Sequence, residues 1–409
     1  MYLNFTNDSF SNLTIPLEEH PVFSFSTIFR VVTLILILVA AFIGNILVLV
    51  VFLRKPSLLS VSNRFILQLT LCNFCMTVLL MPSAVATTLH EQWLFSHAWC
   101  VCTGFFIVLF FAATIFTLVM ITVDRYVAVV TPLHYYQRIT SKRSYLMLIS
   151  VWFIAALLAL PPLIVQDSIN YHEYRYSCTI GSRANHIFTY GYNIFLILCG
   201  FLVPLSVMSF AYYRIYTAAR DLVARDRHRW YVLSDEETVR RALRAKKRPR
   251  NNGNTYQHHS SSWRLHISGF TASAGFRKIL RIHVGDEWRT AKSGLVILFT
   301  FMVTWLPFFV VIAIESVLGG DQHVSPTWEW VSLWLAFCSC ACNPYVYVFR
   351  STSMRHHALA PFGMGRRMSQ ESALQQVWIM YYSQRRASAF RRPSMVPPPP
   401  SCPLPEDMV

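Results

Sequence analysis

The stretch "MITVDRYVAVVTPLHYY", Met120 to Tyr136, places an acid and a base, Asp124-Arg125-Tyr126, near the end of a long apolar run that stops at Pro132 and Leu133. A guanidinium at the edge of a lipid-compatible segment is costly to leave unpaired, so its chemistry is ion pairing rather than catalysis. Asp124 is beside it in sequence. The other candidate is Glu287, 20 residues before Pro307 and about five helical turns below it. An Arg125–Glu287 pair would clamp two helices, and breaking it would part them, giving a two-state element. The alternative is a charged anchor at the lipid headgroups. No buried histidine or acid pair offers a catalytic constellation, so no catalytic residue, metal or cofactor is expected.

Ten cysteines are present. Seven (Cys72, Cys75, Cys102, Cys199, Cys338, Cys340, Cys342) fall inside apolar runs and read as small packing residues. Cys100 and Cys178 stand at or beyond the ends of such runs, where an oxidising compartment would favour a disulfide.

The elements that must position these groups follow from composition. Of 409 residues, 54% are hydrophobic and 14% charged. A water-soluble domain carries about 25% charged residues. The apolar residues form seven blocks near the roughly 20 needed to cross a bilayer. They are Ile28–Leu53, Phe65–Leu89, Cys100–Val123, Tyr145–Val165, Ile187–Tyr216, Ser293–Leu318 and Trp328–Phe349. Continuous rather than alternating hydrophobicity excludes a β-barrel. The expected fold is an all-α bundle of seven transmembrane helices over 28–350, preceded by an outer tail (1–27) and followed by a cytoplasmic tail (351–409).

Basic residues set the orientation. The first 29 residues hold no Lys or Arg, whereas 220–292 hold 17 and 350–409 hold eight. Basic loops stay cytoplasmic, which puts the N-terminus outside and the C-terminus inside. The net charge of +16 follows from that topology, with attraction to anionic membrane lipid rather than nucleic acid as its consequence. Three sequons, at Asn4, Asn7 and Asn12, lie on the segment placed outside and are candidate glycosylation sites. No cleavable leader opens the chain, so the first span is expected to direct insertion.

Further marks sit one per helix: Gly44-Asn45, Trp152, Pro204 with Tyr212, Phe301 with "TWLP" (Thr304 to Pro307), and "NPYVY" (Asn343, Pro344 and on to Tyr347). Together with Asp-Arg-Tyr and the Cys100/Cys178 pair, they resemble the class A (rhodopsin-like) G-protein-coupled receptors over residues 28–350. The resemblance implies a Cys100–Cys178 bridge, worth about 4–5 kcal/mol by chain entropy. It makes Trp305 a toggle beneath a ligand pocket and Ile115, Pro204 and Phe301 a packed connector, with Pro307 as a kink. Tyr212 and Tyr347 would swing inward beside Arg125. Pro132 and Leu133 would contact a Gα subunit, with a heterotrimeric G protein and arrestin as partners. "KPSLLSVSNRFILQLTLCNF" and "FMVTWLPFFVVIAIES" further resemble the orphan branch that includes a ciliary, cAMP-linked receptor of Hedgehog signalling. That branch suggests the plasma membrane or primary cilium as location.

Departures from the family pattern are as informative. Asn73 replaces the usual Asp of a sodium site, and Ser339 replaces an Asn, leaving Thr114 and Asn343 as uncharged oxygens. Weak sodium dependence and raised basal signalling are expected. Ile107 stands where aminergic receptors carry Asp, and Phe337 where opsins carry Lys, so the residue chemistry disfavours monoamines and retinal as ligands. The expected pocket wall (Ile107, Phe111, Phe308, Phe309, Leu333, Phe337) suits an apolar or amphipathic extracellular ligand. Equally, its aromatics pack on one another or on the second outer loop with no diffusible agonist. Glu315 and Glu329 at the rim would meet a basic ligand group or simply be solvated.

The loop over 220–290 is long and basic. Its segment "RALRAKKRPRNNGNTYQHHSSS" (Arg241 to Ser262) reads as linker, with helix continuing at both loop ends. In the tail, Ser369, Ser388 and Ser394 each follow an Arg pair at the spacing protein kinase A reads. Asp407-Met408-Val409 could join a PDZ domain as an added strand. A transporter is disfavoured by the lack of repeats. A non-signalling scaffold is the remaining alternative.

Overall fold

The computed structural model describes residues 24–165, 168–180, 186–246, 292, 294–317 and 324–350. Asn4, Asn7, Asn12, Glu287, Ser369, Ser388, Ser394 and the C-terminal tripeptide lie outside the described residues, as do the side chains of Leu133 and Tyr347.

Among the described residues the chain forms seven long helices: α1 (Phe25–Arg54), α2 (Val61–His90), α3 (His97–Val130), α4 (Ser141–Ala159), α5 (Ile187–Arg225), α6 (Gly294–Val317) and α7 (Pro326–Arg350). Six are long and apolar enough to span a bilayer. The seventh matches them in length but interrupts its apolar residues with Glu329, Asn343 and Pro344. Side chains such as Leu36, Ile43, Ile149, Phe153 and Phe299 face outward from the bundle. In water that would be an aggregating surface. Against lipid it costs nothing, because acyl chains are as apolar as the side chains themselves.

Helix ends depart from the hydropathy reading for local reasons. Ser60, Ser96 and Thr140 accept hydrogen bonds from the backbone N–H of Asn63, Trp99 and Arg143. These N-caps start α2, α3 and α4 three to four residues before the apolar runs begin. The fourth span ends at Ala159, not Val165, because Pro161-Pro162 open a separate turn, Pro161–Ile164. In α5, Leu196–Leu202 form a π-helical segment immediately before Pro204, which has no N–H to give the Gly200 carbonyl. Helix continues from there to Lys246. The linker reading of Arg241 to Ser262 is therefore corrected at its start: Arg241–Lys246 is helical, as its good helix formers allow.

α3 is the hub, packed against α2, α4 and α5. Its Ala112, Ala113, Thr114 and Thr117 are buried, small enough to bring neighbours close. Asn45 of α1 donates to the Ala41 carbonyl (2.8 Å) and across to the Cys340 carbonyl of α7 (3.0 Å). The loop between α4 and α5 folds into an antiparallel hairpin, β1 (Ile169–His172) with β2 (Ser177–Ile180), in the register Tyr171↔Cys178. Cys178 is bridged to Cys100 at the start of α3, so the hairpin lies over that end of the bundle. At the same end Arg30 pairs with Glu91 (2.7 Å) and stands over the Tyr176 ring, fastening α1, α2 and the hairpin.

Candidate functional site

At the C-terminal end of α3 the two charges of the opening motif have different surroundings. Asp124 is 1% exposed and accepts hydrogen bonds from Ser62 Oγ of α2 and from the Tyr135 hydroxyl, each 2.8 Å. Tyr135 lies in the turn after α3, and burial pushes its phenol up to about 12, so it remains a donor throughout the physiological range. Arg125 is half-buried, its Nε 3.6 Å from Asp124. Of the two partners considered for Arg125, Asp124 is within reach, and Glu287 lies outside the described residues. Ser62 and Tyr135 were missed in the sequence because a serine and a loop tyrosine carry no mark of a shared carboxylate. Tyr126 is half-buried and Pro132 is exposed on the following turn.

One layer along, Tyr212 of α5 is buried and accepts a hydrogen bond from Thr122 of α3 (3.1 Å). Its ring packs on Gly294 of α6 so closely that a Cβ there would fall 2.4 Å from ring carbons. Glycine is therefore required at that crossing. Asn343 and Pro344 of α7 are buried, and Pro344 touches Gly44 of α1 closely enough that a Cβ on Gly44 would stand 3.2 Å from it.

In the middle of the bundle, Trp305 is fully buried and meets Phe111 edge-on with centroids 4.7 Å apart. Phe111 also takes edge contacts from Phe308 (5.8 Å) and Phe337 (5.9 Å). Phe201 stacks on Phe301 and Phe309. Such pairs contribute about 0.5–1.5 kcal/mol each beyond burial. Ile115 and Pro204 are also buried, and Pro307 is half-buried. A cavity of about 10 Å³ lies among Leu118, Phe301, Thr304, Trp305 and Asn343. That is roughly the space of one water, and both Trp305 Nε1 and Asn343 Nδ2 lack a protein partner among the described residues.

The sodium position does not fit a cation. Thr114 Oγ1 donates to Asn73 Oδ1 (3.4 Å), and Ser339 Oγ donates to the Ala336 carbonyl. Among the described residues Nδ2 of Asn73 and of Asn343 have no partner, and none of these four side chains brings the negative charge that would hold a cation. Asn73→Asp is expected to create the missing charge. In thermal unfolding with sodium against choline chloride, the variant should gain stability with sodium and the wild type should not.

Toward the disulfide end a larger cavity, about 60 Å³, is lined by Ile107, Phe111, Ile115, Phe308, Phe309 and the hairpin residues Arg175, Thr179 and Ile180, among others. Four of the six expected wall residues line it. Leu333 and Phe337 are fully buried outside its lining. The hairpin forms part of its wall. Rim solvation is corrected for Glu329, whereas Glu315 keeps 23% of its side chain exposed. Glu329 is 1% exposed, and Glu315 forms a close ion pair with Arg175, itself 4% exposed. Arg175 Nε also stands 3.8 Å from Glu329, and His172 Nδ1 stands 3.1 Å from the same carboxylate. Sequence reading missed this cluster. Its one signal was an arginine in an otherwise base-poor loop, facing two acids at helix ends.

Comparison with known proteins agrees with this architecture. The profile of the seven-transmembrane receptors of the rhodopsin family matches residues 44–347. The chain is 32% identical to the mouse G-protein coupled receptor 161 over 84% of its own length and 59% of the relative's. Against the human G-protein coupled receptor 161 it is 32% identical, over 85% and 61%. Against the fruit-fly (Drosophila melanogaster) 5-hydroxytryptamine receptor 1 it is 28% identical, over 74% and 57%. It thus spans about three fifths of the length of these relatives. A multi-pass helical bundle, the disulfide-bridged hairpin and a profile running from within α1 into α7 give one conclusion: the chain belongs to the rhodopsin family of seven-transmembrane receptors, which are not enzymes.

Proposed function

We propose that this receptor lies with its hairpin end outside and its Arg125 end in the cytoplasm, and signals to a heterotrimeric G protein with substantial activity in the absence of a diffusible agonist. The observation that carries the second part is the outer cavity. At about 60 Å³ it is far below the roughly 300–1,000 Å³ of a site for a drug-sized ligand, and the chain's own hairpin and phenylalanines occupy the surrounding space. The base-rich inner loops and tail support the orientation.

In this reading Arg125, Pro132 and Leu133 meet the Gα subunit when α6 swings out. Trp305 and the Phe111 cluster transmit the outer packing to that hinge, while Tyr212 and Tyr347 hold the open state. Asn73 leaves out the cation that would favour the closed form. Monoamines, the ligand class in the fruit-fly relative's name, are not the ligand here, because Ile107 brings no charge to meet an amine. The stimulatory G-protein class, with cAMP as product, and a plasma-membrane or ciliary location are carried over from the branch resemblance. Modification of the three outer asparagines, phosphorylation of the tail serines by protein kinase A, and binding of arrestin and a PDZ protein complete the proposal.

Cells expressing the wild type at the surface are expected to show cAMP well above mock-transfected cells with no ligand added. Arg125→Ala, at matched surface level, should return it to the mock level. Equal cAMP in wild type and mock would refute stimulatory coupling. Wild-type cAMP that survives the substitution would refute the role of Arg125.

A further inference from the structure

We propose that the outer mouth contains a binding site for a divalent transition-metal ion of the zinc class, formed by His172 of β1, Glu315 of α6 and Glu329 of α7. The ligating atoms of these three side chains all lie within 4.8 Å of one another. Nitrogen and oxygen ligands about 2.0–2.2 Å from a tetrahedral zinc are separated by about 3.2–3.6 Å. His172 Nδ1 and Glu329 Oε2, 3.1 Å apart, are already near that spacing, and the Glu315 oxygen, within 4.8 Å of both, has to draw in by at most about 1.6 Å.

The donor set points to the metal class. One imidazole and two carboxylates, with water as the fourth ligand, is a zinc pattern. Calcium takes six to eight oxygens and magnesium prefers an octahedron of oxygens, neither of which this cluster supplies. Burial adds an independent reason. Glu329 is 1% exposed, and neither of its carboxylate oxygens accepts a hydrogen bond among the described residues, although Arg175 Nε and His172 Nδ1 stand nearby. A buried carboxylate without hydrogen bonds is costly, and a cation between it and His172 removes that cost. His172 and Glu315 are each 23% exposed in their side chains, which leaves a path for the ion.

Arg175 is the competitor. Its guanidinium already holds Glu315, so an entering metal must take that carboxylate from it. The two cations would also repel. Removing Arg175 is therefore expected to strengthen metal binding, the opposite of its effect if it were a supporting member of the site. Once bound, the metal ties the loop hairpin to α6 and α7.

The test uses full-length receptor purified in detergent, where both ends are accessible. It therefore reads binding independently of orientation and of G-protein coupling. Thermal unfolding is followed with increasing zinc chloride, with magnesium chloride as control. Zinc and not magnesium should raise the midpoint, as expected for a ligand that binds the folded state. Loss of a mere supporting residue weakens metal sites about 10–100-fold. His172→Ala and Glu329→Gln should shift the zinc response by at least that much, and Arg175→Gln should move it to lower zinc. Because a variant can fail to fold, cobalt(II) is also titrated into the wild type. Visible d–d absorption that zinc displaces supports the site. Absence of a zinc-dependent rise and of that absorption in the wild type overturns the proposal. So does an unchanged zinc response in folded His172→Ala and Glu329→Gln, which would place the metal on other histidines or cysteines.

Discussion

Cys178→Ser is expected to cost the folded receptor about 4.5 kcal/mol and to remove most of it from the cell surface. The bridge joins residues 78 apart in sequence, and closing a loop of that length by chain entropy is worth about that much. A domain is typically stable by only about 5–15 kcal/mol, so the loss is a large share of the total. The bridge is also the centre of a small core in which Cys100 and Cys178 are buried with Ile169, and Trp93 and Tyr171 pack against them. Without it the hairpin loses its tether to α3, and with it the seat of Arg175 between α6 and α7. Surface fraction is read with an outer epitope tag, and unfolding midpoint on purified protein. The double variant Cys100→Ser/Cys178→Ser separates two effects. If it is as impaired as the single variant, the bridge itself matters. If it recovers, a stray thiol was the cause.

The second large effect is expected at Gly104, where two physical terms oppose each other. In a helix interior, glycine to alanine normally gains about 1 kcal/mol of propensity. Here a Cβ would lie 2.4 Å from Ile169 Cγ2 and 3.3 Å from the Cys178 carbonyl oxygen. Ile169 is 3% exposed, and its Cγ2 branches directly from Cβ, so it has little room to withdraw. Overpacking of this kind costs about 1–3 kcal/mol and more when backbone must shift. The clash wins, and Gly104→Ala is expected to destabilise the fold by a net of up to about 2 kcal/mol, read as a lower unfolding midpoint. Trimming the obstacle should reverse the sign: on an Ile169→Ala background the same substitution is expected to be neutral or stabilising. A penalty that persists undiminished on that background would show that the hairpin does not rest on α3 as described.

Both predictions concern contacts between segments far apart in the chain, and these were the least legible features. The spans could be read because a membrane helix announces itself in one dimension: about 20 apolar residues in a row have one stable solution in lipid. Their ends were less legible, since the caps at Ser60, Ser96 and Thr140 are polar residues that a hydropathy reading counts as loop. The π segment of α5 was not legible at all. Pro204 marked a disturbance, but a proline does not say whether the misfit becomes a kink or a π turn.

The functional residues divide in the same way. Arg125 stood out because a charge beside an apolar run needs an explanation. Its environment did not stand out: that Ser62 and Tyr135 hold Asp124 depends on where α2 and the following turn fall against α3. Glu315 and Glu329 looked like rim acids, because burial at a helix end depends on what covers it. What covers it is a hairpin from elsewhere in the chain.

By itself, then, the sequence determined the membrane-spanning helices, the placement of the family's motifs along them and the absence of charge at Asn73 and Ile107. Each of these depends on residue type and local run length alone. Only the tertiary structure decided that the cavity beside the hairpin is small, that Arg175 sits between two acids, and that His172 joins them. Those outcomes depend on lateral packing, in which the energy of a side chain is set by neighbours that sequence distance does not reveal.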